Sequence, residues 1–167
     1  MKLTRIFAAV IVAVMILSAF AGCGNKVVSK VHIQFIVTVD ENGNELDEDK
    51  IIGETDVEVE GTTSNPPTVL KAAQIALTKL SYEDGYETTS DGYSIARIRT
   101  YAEHQETDDE KGYYRYWDAY INGERSTSGR QSETPIYNND TLVFKYISSS
   151  TPREDNKKYI DESESAE

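Results

Sequence analysis

Residues 113–120 carry the side chains best suited to recognising a ligand. They read YYRYWDAY, so five of the eight are aromatic, whereas aromatic residues make up 10% of the whole chain. Tyrosine combines a flat apolar ring with a hydroxyl at its rim, and it loses little conformational entropy when it binds. Alternate side chains of a strand share a face, so we predict one ligand-binding set that also includes the asparagine after the strand. This set comprises Tyr114, Tyr116, Asp118, Tyr120 and Asn122.

The opposite face of the same strand has the composition of a protein core. Arg115, Trp117, Ala119 and Ile121 alternate with the tyrosines, and we interpret the last three as buried beneath a helix. The tyrosine face cannot lie in that core, which leaves two interpretations of it. It is either a platform for a ligand or a row of rings that pack on neighbouring strands. We favour the platform for the group as a whole.

Patterns typical of catalysis and of metal binding are missing from the sequence. His32 and His104 lie far apart and in no spacing such as HExxH, and no serine stands in a GxSxG turn. We interpret His32 as a polar-face strand residue and His104, within AEHQETDDEKG, as part of a charged loop. The sequence therefore predicts a binding protein with no catalytic residue, no metal site and no resident cofactor.

The acidic segment DENGNELDEDKI resembles a calcium-binding loop in composition alone. Such a loop requires glycine at its sixth position and glutamate at its twelfth, where this chain has Glu45 and Ile51. The carboxylates instead indicate a solvated loop, with a tight turn at residues 41–44.

The N-terminus predicts where the protein acts. Two basic residues, Lys2 and Arg5, precede a run of apolar residues at 6–21. That order is typical of a secretory signal peptide, here residues 1–22, and the run is shorter than the ~20 apolar residues that span a bilayer. We therefore expect the chain to be exported.

The only cysteine of the chain stands directly after that segment. Cys23 follows two small residues in FAGCGN, which resembles the lipobox of bacterial lipoproteins with Phe20 in place of the usual leucine. The resemblance implies lipidation of Cys23 and attachment at the outer face of the cell membrane. The alternative is a conventional signal peptide with an incidental cysteine, which would leave an exported protein with an unpaired thiol.

Charge and composition narrow the class of partner. Removal of residues 1–22 would leave 145 residues and change the formal charge from −12 to −14. Such a chain is repelled by nucleic acid, and without cysteines for disulfides it must be stabilised by an apolar core. We divide it into a polar tether at residues 23–30, one globular domain at 31–148 and a disordered acidic tail at 149–167.

Hydrophobic periodicity predicts one helix and a series of strands. Alternation at residues 31–39 and 56–60 predicts two paired strands, and PPTVLKAAQIALTKL predicts a helix capped by Thr68 that ends near Leu80 or Ser81. Turn signals separate the later segments, each of which has the pattern of a strand. These predicted strands lie at residues 86–89, 93–100, 112–121 and 141–147. This order indicates an α+β fold with the helix packed on a mostly antiparallel sheet.

The same elements, taken in order, resemble one known domain family. PPTVLKAAQIAL, GYSIARI, YYRYWDAYINGE and YNNDTLVFKYI are similar to segments of a β-grasp-like module of exported bacterial proteins, which is also similar to the C-terminal domain of transcobalamin and intrinsic factor. The resemblance covers residues 31–147. It includes the aromatic strand that runs into Asn122 and Gly123, and a final turn where Asn139 replaces the usual glycine. It implies a β-grasp-like fold and a binding module rather than an enzyme.

The resemblance also implies a class of ligand. In the vitamin carriers this domain closes over cobalamin from one side, and a helical toroid that this sequence lacks holds the other side. We therefore expect capture of a small molecule, cobalamin or another corrinoid, for uptake with a membrane transporter or a partner subunit. One alternative is an adhesion or interaction module whose tyrosines pack on a protein or a glycan. Another is an enzyme with convergent titratable groups in a pocket.

Overall fold

The computed structural model describes residues 24–105, 114–126 and 130–151. The predicted signal peptide (residues 1–22), Cys23 and residues 152–167 of the predicted acidic tail lie outside these ranges, and so does Tyr113. No helix within the described ranges is long and apolar enough to cross a membrane.

The first and the last strand lie side by side in the middle of the main sheet. β1 (Lys26–Val39) pairs antiparallel with β2 (Glu45–Thr62) on one side and parallel with β9 (Thr141–Ser149) on the other. β9 in turn pairs antiparallel with β7 (Tyr114–Ile121), the aromatic strand. The centre of the domain is therefore built from residues that are more than a hundred positions apart in the chain.

Two short strands border β7. β6 (His104–Gln105) pairs with its beginning, and β8 (Glu124–Arg125) pairs with its end. The strand order in the main sheet is β2-β1-β9-β7-β6, with β8 alongside β7. Since β2 and β6 have a neighbour on one side only, they form the two edges of this sheet among the described residues.

The helix and a second, smaller sheet follow β2 in the chain. α1 (Val69–Lys79) is the α-helix of the described residues, and a 3-10 turn (Glu83–Gly85) leads from it into the second sheet. That sheet consists of β3 (Tyr86–Thr88), β4 (Ile95–Ile98) and β5 (Tyr101–Ala102), paired antiparallel. The α+β prediction with a mostly antiparallel sheet is confirmed.

One face of the main sheet carries the hydrophobic core. The predicted alternation of β1 is confirmed, because the five residues assigned to its apolar face are at most 3% exposed. Helix α1 packs against this face with three buried alanines, whose small side chains allow close approach. Ile121 packs partly buried at the edge of the core. The sheet residues in this core are Val31, Ile33, Phe35, Val37, Val39, Val57, Val59, Trp117, Ala119, Leu142, Phe144 and Tyr146.

The limits of helix α1 follow from local interactions, as the sequence predicts. Thr68 has an extended backbone, and its hydroxyl accepts a hydrogen bond from the backbone N–H of Lys71 at 3.5 Å. At the other end, the N–H of Leu80 donates to the carbonyl of Ala76 at 2.9 Å. Ser81 then adopts a left-handed φ of 61°, which ends the helix.

The β1–β2 hairpin is longer than the sequence predicts, both at its open end and next to its turn. β1 begins at Lys26, within the segment interpreted as a tether, and Lys26 lies opposite Thr62. β2 begins at Glu45 and includes the acidic residues interpreted as a loop. The tight turn between the strands is confirmed, with the Asp40 carboxylate accepting hydrogen bonds from backbone N–H groups at 2.8 and 2.9 Å. Once this turn sets the register, backbone pairing extends into sequence that has no apolar alternation.

One further prediction about the chain is wrong. His104 was predicted to lie in a loop, but the structure places it in β6, opposite Arg115. Charged residues are common on the exposed edge of a sheet, and a strand of two residues leaves no periodicity in the sequence.

Tyr146 is expected to make the stability of the fold depend on pH in the alkaline range. Its side chain is 1% exposed, and its hydroxyl donates to the carbonyl of Ala102 at 2.7 Å. Burial raises the pKa of Tyr146 above the usual value of about 10, because the phenolate is poorly solvated. The folded state therefore holds this proton more tightly than the unfolded state does. The contribution of Tyr146 to the free energy of unfolding is fully present below pH ~10 and is lost as pH rises through the folded pKa.

We expect Tyr146→Phe to have a shallower loss of unfolding free energy with rising pH above ~10 than the wild type. Urea titrations at a series of alkaline pH values measure this slope. Tyr137→Phe, which removes a tyrosine that is 66% exposed, is the control and should keep the wild-type slope. An unchanged slope in Tyr146→Phe would contradict the assignment.

Candidate functional site

The β7–β8 hairpin turns at the Asn-Gly pair that the sequence singles out. Asn122 and Gly123 have φ values of 52° and 87°, the positive values that a two-residue hairpin turn of type I′ requires. Tyr120 then lies opposite Arg125, so both side chains project from the same side of the sheet. We call this side, opposite the core, the outer face of the main sheet.

Arg125 reaches back along the outer face over the preceding residues of β7. Its Nε donates to Oδ2 of Asp118 at 2.5 Å, and its Nη2 donates to the hydroxyl of Tyr116 at 3.2 Å. Asp118 is 6% exposed and Tyr116 is 2% exposed. The prediction that these residues share a face holds, but the prediction of an open stripe is wrong at Tyr116 and Asp118. Arg125 lies over them, so neither offers a free surface to a ligand.

The first and the last tyrosine of the predicted set are half-buried, unlike Tyr116. Tyr114 and Tyr120 retain part of their surface, and Nζ of Lys145 lies 5.7 Å from the centroid of the Tyr120 ring. Burial raises the pKa of Tyr120, and the negative charge of Asp118 raises it further. Tyr120 is therefore a neutral hydrogen-bond donor at physiological pH.

Asn122 joins the hairpin to the start of β9. Its Nδ2 donates to Oδ1 of Asp140 at 2.8 Å, and its Oδ1 accepts from the N–H of Thr141 at 2.9 Å. Because both ends of the amide are engaged within the protein, the side chain of Asn122 holds the turn in place. The residue also borders the groove described next, and its place in the ligand-binding set stays a prediction.

An open groove of about 600 Å³ lies beside the β7–β8 hairpin. One wall comes from the hairpin and the other from the segment that precedes the last turn. Within it, the hydroxyls of Ser126 and Thr134 lie 3.3 Å apart, and Thr134 donates to the carbonyl of Arg130 at 2.8 Å. The lining residues are Ile121, Asn122, Glu124, Arg125, Ser126, Thr134 and Pro135.

Arg125 lines this groove and also bonds to the buried side chains of Asp118 and Tyr116. Its side chain is 42% exposed, whereas that of Asp118 is 8% exposed. Burial alone would lower the pKa of Arg125, but the charge of Asp118 and the hydrogen bond to it outweigh burial and raise that pKa. The guanidinium is therefore always charged, and its Nη1 makes no hydrogen bond to the described residues. A ligand in the groove would meet fixed N–H donors beside two hydroxyls.

A second groove, of about 440 Å³, lies near the N-terminus of helix α1 and includes Lys71 and Ser132. A helix N-terminus attracts anions through its unpaired N–H groups. Here the N–H of Val69 donates to the carbonyl of Thr134 at 3.0 Å, and that of Leu70 donates to the carbonyl of Gln131 at 2.9 Å. Since these N–H groups are already bonded, this groove offers less to a ligand than the first.

The histidine on β1 forms part of a polar ladder on the outer face. Nδ1 of His32 lies 2.8 Å from Asp56, and its Nε2 lies 3.5 Å from Glu54. The interpretation of His32 as a polar-face strand residue is confirmed. Among the described residues, no group of three or more His, Cys, Asp or Glu side chains is arranged to hold a metal ion.

Sequence reasoning missed the residues that build the groove. The predicted ligand-binding set did not include Arg125, Ser126 or Thr134. The register of a two-residue Asn-Gly hairpin places residue 125 opposite residue 120, so the position of Arg125 beside Tyr120 could have been predicted from the sequence. Thr134 was not, because nothing in the local pattern brings it beside Ser126.

Comparisons with known proteins do not identify the chain. No family model, no curated protein and no solved structure matches it.

Proposed function

We propose that this protein is an exported, lipid-anchored binding module that holds a small polar ligand in the groove beside the β7–β8 hairpin. The observation that carries the proposal is the state of Arg125. Its guanidinium is fixed by Asp118 and Tyr116 through Nε and Nη2, and its Nη1 makes no hydrogen bond to the residues that the structure describes. The assignment is binding rather than catalysis.

Preorganisation is the physical reason to give Arg125 this role. A free arginine side chain loses rotamer entropy when it binds a ligand, which weakens association. Here the buried carboxylate of Asp118 and the hydroxyl of Tyr116 have already fixed the guanidinium plane. Binding sites depend on such supporting contacts to hold the groups that touch the ligand.

The charges around the groove favour a neutral ligand that is rich in hydrogen-bond acceptors. Asp118 compensates the charge of Arg125, and Glu124 adds a negative charge to the lining. The strongly acidic chain would also repel an anion. Amide carbonyls and sugar oxygens accept hydrogen bonds from a guanidinium without adding charge, so a corrinoid with peripheral amides and a glycan both belong to this class.

The corrinoid is the first ligand to test, because the fold favours the β-grasp-like interpretation. That architecture is supported by the parallel pairing of the first and last strands, by the hairpins on either side and by a helix across one face. The resemblance of the segment around Cys23 to a lipobox supports a role at the outer face of the cell membrane, where a transporter or partner subunit would receive the ligand. The openness of the groove favours a glycan or a protein as the second candidate.

Calorimetric titration of residues 24–167 with cyanocobalamin and with cobinamide tests the proposal. We expect saturable binding by the wild type and at least ~10-fold weaker binding by a variant carrying Asp118→Asn and Arg125→Gln, because hydrogen bonds to a charged donor contribute about 1.5–3 kcal/mol. Both members of the pair are changed so that no carboxylate stays buried without its partner.

The matched control is the exposed pair of the second sheet. Nη2 of Arg97 lies 2.6 Å from Oε1 of Glu87, so Glu87→Gln with Arg97→Gln makes the same kind of charge change away from the β7–β8 hairpin. This control should bind as the wild type does. Equal binding by all three proteins would remove the groove as the site. No binding by the wild type would remove capture of a corrinoid by this module alone and favour the glycan or protein partner.

A further inference from the structure

The strand β2 presents an exposed edge of unusual length. It runs for 18 residues and has β1 as its one neighbour in the main sheet among the described residues. Backbone N–H and C=O groups along such an edge are a template on which another strand can pair. Such an edge would allow two copies of this chain to associate through β2.

Three side chains from helix α1 and the segment after it bond to the backbone of this edge. Nζ of Lys71 donates to the carbonyl of Glu60 at 2.6 Å, and Nζ of Lys79 donates to the carbonyl of Asp56 at 2.9 Å. The hydroxyl of Tyr82 donates to the carbonyl of Ile52 at 2.7 Å. The acceptors are therefore spaced at every fourth residue of the strand.

The spacing of the donors matches the spacing of the acceptors. Asp56 and Glu60 are four residues apart, about 13 Å along a strand. Lys71 and Lys79 are eight residues apart, about 12 Å along a helix. A helix that lies along β2 can therefore place both ammonium groups on the carbonyls of the edge at the same time.

The end of β2 is closed by its own backbone. The N–H of Thr62 donates to the carbonyl of Asn65 at 2.9 Å, and the N–H of Asn65 donates back to Thr62 at 3.2 Å. The following segment packs tightly there, because a Cβ on Gly61 would lie 2.7 Å from Pro67. Residues 52–62 thus have bonded carbonyls at Ile52, Asp56, Glu60 and Thr62.

We propose that Lys71, Lys79 and Tyr82 act as edge caps that keep β2 from pairing with β2 of a second copy of this chain. A carbonyl that accepts a hydrogen bond from a cap is less available to a second strand, because the side chain of the cap occupies the space beside the edge. The caps act with the acidic side chains of Glu54, Asp56 and Glu58, which would meet like charges in an antiparallel pair of β2 strands. This role is independent of the ligand-binding groove.

Sedimentation analysis of residues 24–167 tests the caps. This segment contains all the described core residues. The test variant carries Lys71→Met, Lys79→Met and Tyr82→Phe, which remove the three donors and keep the apolar parts of the side chains. We expect its self-association constant to exceed that of the wild type by at least ~10-fold, in about 0.5 M salt to screen the acidic side chains.

The control variant carries Lys26→Met and Lys30→Met. These lysines lie 2.6 Å from Glu60 and 2.8 Å from Glu58 but bond to carboxylates, not to the backbone edge. It loses two positive charges, the same number as the test variant, and should remain as monomeric as the wild type. A test variant that associates no more strongly than the control variant would overturn the proposal. Circular dichroism spectra that match the wild type establish that each variant is folded.

Discussion

Trp117→Ala is expected to lower the free energy of unfolding by about 4 kcal/mol, because it removes the largest side chain of the core. Trp117 is fully buried, and its ring centroid lies 5.4 Å from that of Tyr146 and 6.4 Å from that of Phe35. Its Nε1 donates to the carbonyl of Tyr101 at 2.9 Å, which ties β7 to β5 of the second sheet. The substitution therefore leaves a cavity and an unpaired carbonyl where the two sheets meet.

Urea denaturation followed by circular dichroism measures this loss, and the midpoint of thermal unfolding should fall by roughly 10–15 °C. Trp117→Phe is the matched control, because it keeps an aromatic ring and removes the indole N–H. It should lose about 1–2 kcal/mol, mainly from the unpaired carbonyl of Tyr101. A loss below ~2 kcal/mol in Trp117→Ala would show that the two sheets do not depend on this side chain.

Gln131→Met is expected to lower the free energy of unfolding by about 3 kcal/mol, although glutamine and methionine are similar in size. Gln131 is 3% exposed. Its Oε1 accepts from the N–H of Ile95 at 2.9 Å, and its Nε2 donates to the carbonyl of Trp117 at 3.2 Å. Its own carbonyl accepts from the N–H of Leu70 at 2.9 Å. One residue thus joins helix α1, β4 and β7.

The cost arises because Gln131→Met removes two buried hydrogen bonds, one from the N–H of Ile95 and one to the carbonyl of Trp117, each worth about 1–3 kcal/mol when its backbone group loses it. Gln34→Met is the control, because Gln34 lies on the outer face, where its Nε2 donates to Glu54 at 3.1 Å. The same substitution there should change stability by less than ~0.5 kcal/mol. Equal effects at the two positions, measured by urea denaturation, would show that the bonds of Gln131 are not what matters.

The two predictions concern one structural unit. Gln131 bonds to the carbonyl of Trp117, and Trp117 directly precedes Asp118, which fixes Arg125 in the groove. The effects of Trp117→Ala and Gln131→Met on stability should therefore not be additive in the double variant. Each substitution that leaves the protein folded should also weaken ligand binding, because β7 carries the groups that orient Arg125.

The sequence by itself determined most of the local elements and the sides of β1 and β7 that face the core. Alternation at residues 31–39 identified the core face of β1, and the cap at Thr68 identified the start of helix α1. The Asn-Gly pair at residues 122–123 fixed a hairpin, and hence which residues of β7 share a face. These features are encoded within a few residues of each other, through the period of side chains and the backbone angles that turns require.

Only the tertiary structure decided what lies over each face. Tyr116 and Asp118 share a face with Tyr120, as predicted, yet Arg125 lies over them and removes them from any open platform. Gln131 has no periodic pattern around it, and its bonds reach residues 14 and 36 positions away. Alternation reports which way a side chain points but not what covers it, because the covering groups come from distant parts of the chain through long-range packing and hydrogen bonds.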